Sequence, residues 1–130
     1  RYLVTHLREV LTQSDGRHKT FAILILDIDH FKNVNDTHGH LVGDKVLMGI
    51  AQVLKKHVRG NDYVSRFGGE EFAIILPDTF ITGAFTVAEN LRQSIEKLRL
   101  KHVKSGKSIG QVTISIGVGS YRLDEEVEEL

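Results

Sequence analysis

The chain has 130 residues, 41% of them hydrophobic and 26% charged, which suits one folded domain and excludes a disordered segment. Its 17 Lys and Arg balance 17 Asp and Glu, so no bulk positive field recruits nucleic acid, and an anionic ligand needs a local site. Cysteine is absent, which excludes disulfides and thiolate metal sites, and no apolar run is long enough to span a bilayer. The expected setting is a reducing cytoplasm, with no direct membrane contact from this domain.

Leu3, Leu7, Val10 and Leu11 share one face of an opening helix, followed by a polar turn from Ser14 to Lys19. Phe21 to Leu26 is a continuous apolar run that stops at Asp27, the pattern of a strand buried on both faces. The segment from Asp29 to Gly43 is rich in Asn, Asp, Gly and His and reads as a loop. A helix beginning at Lys45 then carries Leu47, Ile50, Ala51, Leu54 and Val58 on one stripe, and Asp44 taken by itself reads as its N-cap. Strands Tyr63 to Arg66 and Glu71 to Leu76 flank Gly68-Gly69, read as a hairpin whose glycines accept positive φ. A further helix aligns Ala84, Val87, Ala88, Leu91, Ile95 and Leu98, and Val112 to Val118 alternates as a last strand. Leu123, Val127 and Leu130, among five acidic residues, read as one face of a closing helix.

From residue 21 the order is β-α-β-β-α-β, an α+β, ferredoxin-like arrangement. Folds of this order set the first and third strands antiparallel at the sheet centre. Asp27 then lies beside the Glu70-Glu71 pair at one sheet edge. Carboxylates brought together repel unless a cation sits between them. With only oxygen donors, a hard ion such as Mg²⁺ fits, completing its shell with phosphate and water. Strand period leaves open whether Glu70 or Glu71 faces Asp27. Lys32 and the main-chain N–H groups of residues 29–32 suit phosphate. Asn35 and Asp44 suit guanine, which offers donors to a carboxylate and mixed groups to an amide. Each also has a plainer reading, Asn35 as a turn residue and His38 and His40 as solvated loop histidines.

Three segments carry a resemblance. Gly68-Gly69-Glu70-Glu71-Phe72 resembles the GGEEF form of the signature of the GGDEF family, the bacterial diguanylate cyclases. Asp27 to Asp44 is similar to the family's other main motif almost throughout, and Val112 to Gly119 to its later strand. The resemblance implies a fold related to class III nucleotidyl cyclases and polymerase palm domains. It implies that Glu70, Asp27 and the carbonyl of Ile28 hold Mg²⁺ or Mn²⁺, and that Glu70 assists deprotonation of the attacking hydroxyl. Asn35, Asp44 and His40 match substrate-binding positions, and Phe31 and Lys32 match positions near the triphosphate, with Lys32 also in a catalytic role. The implied reaction condenses two GTP into cyclic di-GMP, releases two pyrophosphates and requires a homodimer. Arg59-Gly60-Asn61-Asp62 matches the family's RxxD motif, which implies cyclic di-GMP as inhibitor at Arg59 and Asp62. Where some members carry a further arginine, this chain has Asn90.

The family's opening motif and closing segment are absent, so residues 1–130 read as a partial domain. Weak or no activity is expected from it alone, and a sensory or receiver domain is expected in the parent, which is compatible with a membrane anchor. A non-catalytic receptor for cyclic di-GMP or GTP, and a cyclase making another product, are the competing readings. The intact acids favour an enzyme, and Asn35 with Asp44 favours guanine.

Overall fold

The computed structural model describes residues 20–60, 62–66, 68–98 and 110–122. The expected opening helix, the polar turn after it and the closing helix lie outside the described residues. Within them the order is β1 (Thr20–Ile28), α1 (Phe31–His38), α2 (His40–His57), β2 (Tyr63–Arg66), β3 (Glu71–Pro77), α3 (Ile81–Glu96) and β4 (Ile114–Arg122). The strands form one sheet in the order β2-β3-β1-β4, every neighbouring pair antiparallel. This is the ferredoxin-like α+β architecture that the element order predicts.

The period-2 pattern of β1 divides the sheet into two faces. Ala22, Leu24, Leu26 and Ile28 turn to the helices and join Phe72, Ile74 and Leu76 of β3. Val46, Leu47, Ile50 and Leu54 of α2, with Ala84, Ala88, Leu91 and Ile95 of α3, close this core. The other face is covered less. Phe21, Ile23 and Ile75 form a small cluster with Tyr63 and Tyr121, the Phe21 and Tyr121 rings stacking at 5.5 Å. Further along β1, Ile25 is 38% exposed and Asp27 is exposed. The expectation of a strand buried on both faces therefore holds only for its first half.

Four other expectations need correction. The segment from Asp29 to Gly43 is not a loop, because it contains α1 and the first turn of α2. Its Asn, Asp, Thr and His are poor helix formers, but burying Phe31 and packing α1 on α2 outweigh that preference. Asp44 is accordingly not an N-cap; α2 starts four residues earlier, behind Gly39. The hairpin glycines do not adopt positive φ, which among described glycines belongs to Gly39 and Gly110. Gly68 is needed for another reason: a Cβ there would come within 3.2–3.3 Å of the Glu71 side chain. Finally, the last strand runs from Ile114 to Arg122, so buried Val112 precedes it.

Candidate functional site

Two local structures and one sheet register build the site. The register pairs Asp27 of β1 with Glu71 of β3 on one side and Ser115 of β4 on the other. Paired residues share a face, so Asp27 and Glu71 lie together on the face away from the helices. One step further out, the Ile28 N–H donates to the Glu70 carbonyl at 3.3 Å. A strand residue directs its N–H and C=O to the same neighbour, so the polar edge of Ile28 looks towards the GGEEF turn. Asp27, Ile28, Glu70 and Glu71 thus meet at one rim, as the sequence predicts. Of the two glutamates, Glu71 lays its side chain against Gly68, while Glu70 stands in the bend.

The first local structure is the entry to α1. Asp29 accepts hydrogen bonds from the Thr113 Oγ1 hydroxyl at 2.8 Å and the Ser115 Oγ hydroxyl at 2.6 Å, and its N–H donates to the Thr113 carbonyl. This ties the end of β1 to the start of β4. His30 then turns left-handed (φ 56°, ψ 31°), and its carbonyl accepts the Asn33 and Val34 N–H groups. Histidine is among the residues that tolerate this conformation. The first N–H groups of α1, at Phe31 and Lys32, precede the helical ladder and are the kind of donors that favour anions. The Lys32 side chain is exposed in the same turn, and Phe31 is buried beneath it.

The second local structure is the corner between α1 and α2. Gly39 joins them at φ 89° and ψ 165°, a conformation that a side chain resists. Its N–H donates to the Asn35 carbonyl at 2.8 Å and its carbonyl accepts the Gly43 N–H at 3.1 Å. The corner brings Asn35 of α1 onto Gly43 of α2, beside Asp44. A Cβ at Gly43 would fall 1.8 Å from Asn35 Oδ1 and 3.3 Å from the Phe31 ring. Asn35 Oδ1 is buried and has no hydrogen-bond partner among the described residues. An unmet buried acceptor costs about 1–3 kcal/mol, a penalty that a ligand with donors can remove. Asp44 is exposed and borders a cleft of about 590 Å³ between α2 and the β2–β3 hairpin, shared with Leu47, Met48, Arg66 and Phe72. His40 is exposed at the first position of α2; with His38 it flanks the corner rather than lying in a loop.

Arg59 and Asp62 are not part of this constellation. They precede β2 and line a separate cleft of about 540 Å³ with Pro77, Asp78, Phe80 and Gly83. Pro77 ends the strand that Glu71 begins, so at strand rise the two sites are about 20 Å apart. The Arg59 N–H donates to Asp62 Oδ2 at 2.9 Å, and the Asp62 N–H returns to the Arg59 carbonyl at 3.0 Å. Burial pushes the Asp62 carboxyl above its ordinary value, partly countered by the Arg59 N–H and the guanidinium charge. Asn90 is exposed on α3. Arg92, its near neighbour, is committed to Glu89 by two bonds of 2.6 and 3.0 Å and to Glu96 at 2.8 Å.

Among the described residues there is no group of three or more His, Cys, Asp or Glu side chains that could hold a metal ion. The rim does fit an ion that takes one or two carboxylates, a carbonyl and ligand oxygens. Two contributions escape a reading of the sequence. Asp29 serves as a clamp on Thr113 and Ser115, and Arg66 reaches the carbonyls of Gly68 at 3.3 Å and Gly69 at 2.8 Å. An arginine just before a diglycine turn was the available signal for the second; no local pattern signalled the first.

Comparison with known proteins places these residues in context. The chain matches, over residues 1–130, the family described as diguanylate cyclase, GGDEF domain. It is 44% identical over 124 residues to diguanylate cyclase A of Treponema denticola, covering 95% of this chain and 32% of that protein. It is 46% identical over 109 residues to diguanylate cyclase VdcA of Vibrio cholerae, covering 84% and 32%. The chain therefore spans about a third of the length of these curated relatives. The GGDEF domain of DgcB from Caulobacter crescentus, solved in complex with c-di-GMP, superposes with a TM-score of 0.87 at 30% identity, covering 96% of this chain and 73% of that one. No helix among the described residues is long and apolar enough to cross a membrane.

Proposed function

The chain belongs to the GGDEF family of diguanylate cyclase domains, and from that premise we propose that its parent protein condenses two GTP into cyclic di-GMP. The observation that carries the reading is the β1–β3 register, which sets Asp27 opposite Glu71 and ties Ile28 to Glu70 where α1 departs. Acids at a sheet rim, beside a helix start suited to phosphate, make a site for a nucleotide triphosphate.

Asp27, Glu70 and the Ile28 carbonyl would hold the divalent ion, Mg²⁺ or Mn²⁺. Glu70 is favoured over Glu71 because Glu71 is turned against Gly68. When bound, the ion supplies charge stabilisation at the α-phosphate and at the attacking and leaving oxygens. The main-chain N–H groups of Phe31 and Lys32, with the Lys32 ammonium, take the triphosphate charge. Asn35 and Asp44 take the guanine edge, and the unpartnered Asn35 oxygen supports that assignment. An adenine would leave the buried Asn35 oxygen and the Asp44 carboxylate mismatched, a condition under which sites reject an analogue. His40, at the start of α2, completes the substrate-binding set.

In the reaction the 3′-oxygen of one GTP bonds to the α-phosphorus of the other, and the bond from that phosphorus to the pyrophosphate oxygen breaks. Glu70 assists removal of the hydroxyl proton, and pyrophosphate departs with the electron pair. A second such step closes the ring and releases the second pyrophosphate. Each domain holds one GTP, so two must meet about a two-fold axis. Arg59 and Asp62 form a product site: Arg59 can fork onto phosphate or guanine, and Asp62 accepts from guanine. A sensory or receiver domain in the parent would set when two catalytic domains meet.

The test is an assay of the parent-length protein with GTP and Mg²⁺ or Mn²⁺. Cyclic di-GMP and pyrophosphate are expected, and Glu70→Ala should abolish both. Metal-dependent GTP binding without product from a dimeric, complete domain would replace the enzyme with a receptor.

A further inference from the structure

We infer that Arg66 is a positioning residue, a clamp that sets where the GGEEF turn presents Glu70. The inference deepens the proposed function and rests on it. Arg66 ends β2 and pairs in register with Phe72 of β3, so its backbone is fixed by the sheet. Its side chain then reaches around the turn. Nη2 donates to the Gly69 carbonyl at 2.8 Å and Nε to the Gly68 carbonyl at 3.3 Å.

The turn needs such a clamp. Two adjacent glycines have no side chains to pack and the widest backbone freedom, yet they immediately precede the acid that must stay in place. Strand pairing cannot do this alone, because the β1–β3 register ends at Glu71. On the far side, Glu70 is restrained by its carbonyl, which accepts the Ile28 N–H. The guanidinium supplies the matching restraint on the near side. A planar fork suits the task because its donors are held in fixed directions that address two consecutive carbonyls, whereas the three donors of a lysine sit on one flexible, point-like ammonium.

Arg66 also borders the cleft that Asp44 lines. Displacement of a catalytic group by about 1 Å can cost about 100-fold in rate, so a lost clamp is expected to read out in kcat.

The experiment compares wild-type, Arg66→Ala and Arg66→Lys in the full-length protein. Three quantities are read: steady-state kinetics with GTP, Mn²⁺ affinity with 3′-deoxy-GTP bound, and hydrogen exchange of the amides around the turn. That nucleotide lacks the attacking hydroxyl and cannot cyclise. Arg66→Ala should lower kcat by about 10- to 100-fold while KM stays within about twofold. It should also weaken Mn²⁺ binding and speed exchange at Gly69 to Glu71, and lysine should restore these only in part. A raised KM with unchanged kcat would make Arg66 a substrate contact and overturn the inference. Unchanged exchange at the turn would overturn it as well. If wild-type protein forms no cyclic di-GMP, the proposed function fails, and the exchange and Mn²⁺ measurements still decide the clamp.

Discussion

Replacing Gly43 by alanine separates recognition of the base from stability of the fold. The added methyl would sit 1.8 Å from Asn35 Oδ1, 3.0 Å from its Cγ and 3.3 Å from the Phe31 ring. The first two atoms belong to a short side chain that can rotate, so the helix backbone need not move. Alanine gains up to about 1 kcal/mol of helix propensity over glycine. Driving Asn35 off its rotamer costs about 0.5–1.5 kcal/mol, so net stability should change by less than about 1 kcal/mol. Binding should behave differently. A well-placed amide contact to a base is worth about 1–3 kcal/mol, so losing it should raise the GTP dissociation constant by about 5- to 150-fold. The test is a thermal melt beside calorimetric titration of GTP and ATP into the full-length protein, wild-type and Gly43→Ala. Tm should be nearly unchanged, GTP affinity should fall, and discrimination against ATP should shrink. Unaltered GTP affinity in a correctly folded variant would refute the role given to the α1–α2 corner.

Leu24→Ala, at a wholly buried position in the central strand, should cost about 2–5 kcal/mol in denaturant unfolding; under 1 kcal/mol would mean the core relaxes around it. Asp29→Ala leaves the Thr113 and Ser115 hydroxyls without their carboxylate and should cost about 1–2 kcal/mol, with faster amide exchange at the start of β4. Arg59→Ala should relieve inhibition by cyclic di-GMP, and unchanged inhibition would remove the product site from that cleft. Acidification should weaken the same inhibition. Asp62 binds its proton above the ordinary value of 3.8, so it loses its acceptor before an unperturbed aspartate would, and Asp62→Asn should flatten the dependence. For stability the sign is opposite: a raised carboxylate favours the fold at low pH, and that contribution fades as pH rises through the folded value.

Much of the fold was legible because its signals are local and strong. The apolar run from Phe21 to Leu26 announced a central strand, and the diglycine between β-prone runs announced the hairpin. Strand order then followed from topology, and with it the meeting of Asp27 with Glu70 and Glu71. The α1 segment was not legible, because Asn33, Asn35, Asp36 and Thr37 favour turns and their helix is stabilised by contacts with α2. The plainer reading of Asp44 as a cap fails for the same reason. Gly68 was assigned to the turn on a conformational ground, whereas the structure needs it to make room for Glu71. Asp29 acts through bonds to Thr113 and Ser115 that exist only once β1 and β4 are paired, so no spacing rule exposed it. Arg66 instead bonds the nearby Gly68 and Gly69 carbonyls, and its place before the diglycine was the signal.

The single glycine that joins α1 to α2 has a consequence for the order of assembly. Asn35, Gly39 and Asp44 are close in sequence, so the α1–α2 corner needs only short loops to close, and local helical contacts of this kind form in microseconds or less. The acidic rim must wait for β1 to find β3 across the whole intervening chain, a slower event limited by loop closure. The two halves of the candidate site are therefore completed by contacts of very different range, short between α1 and α2 and long between β1 and β3.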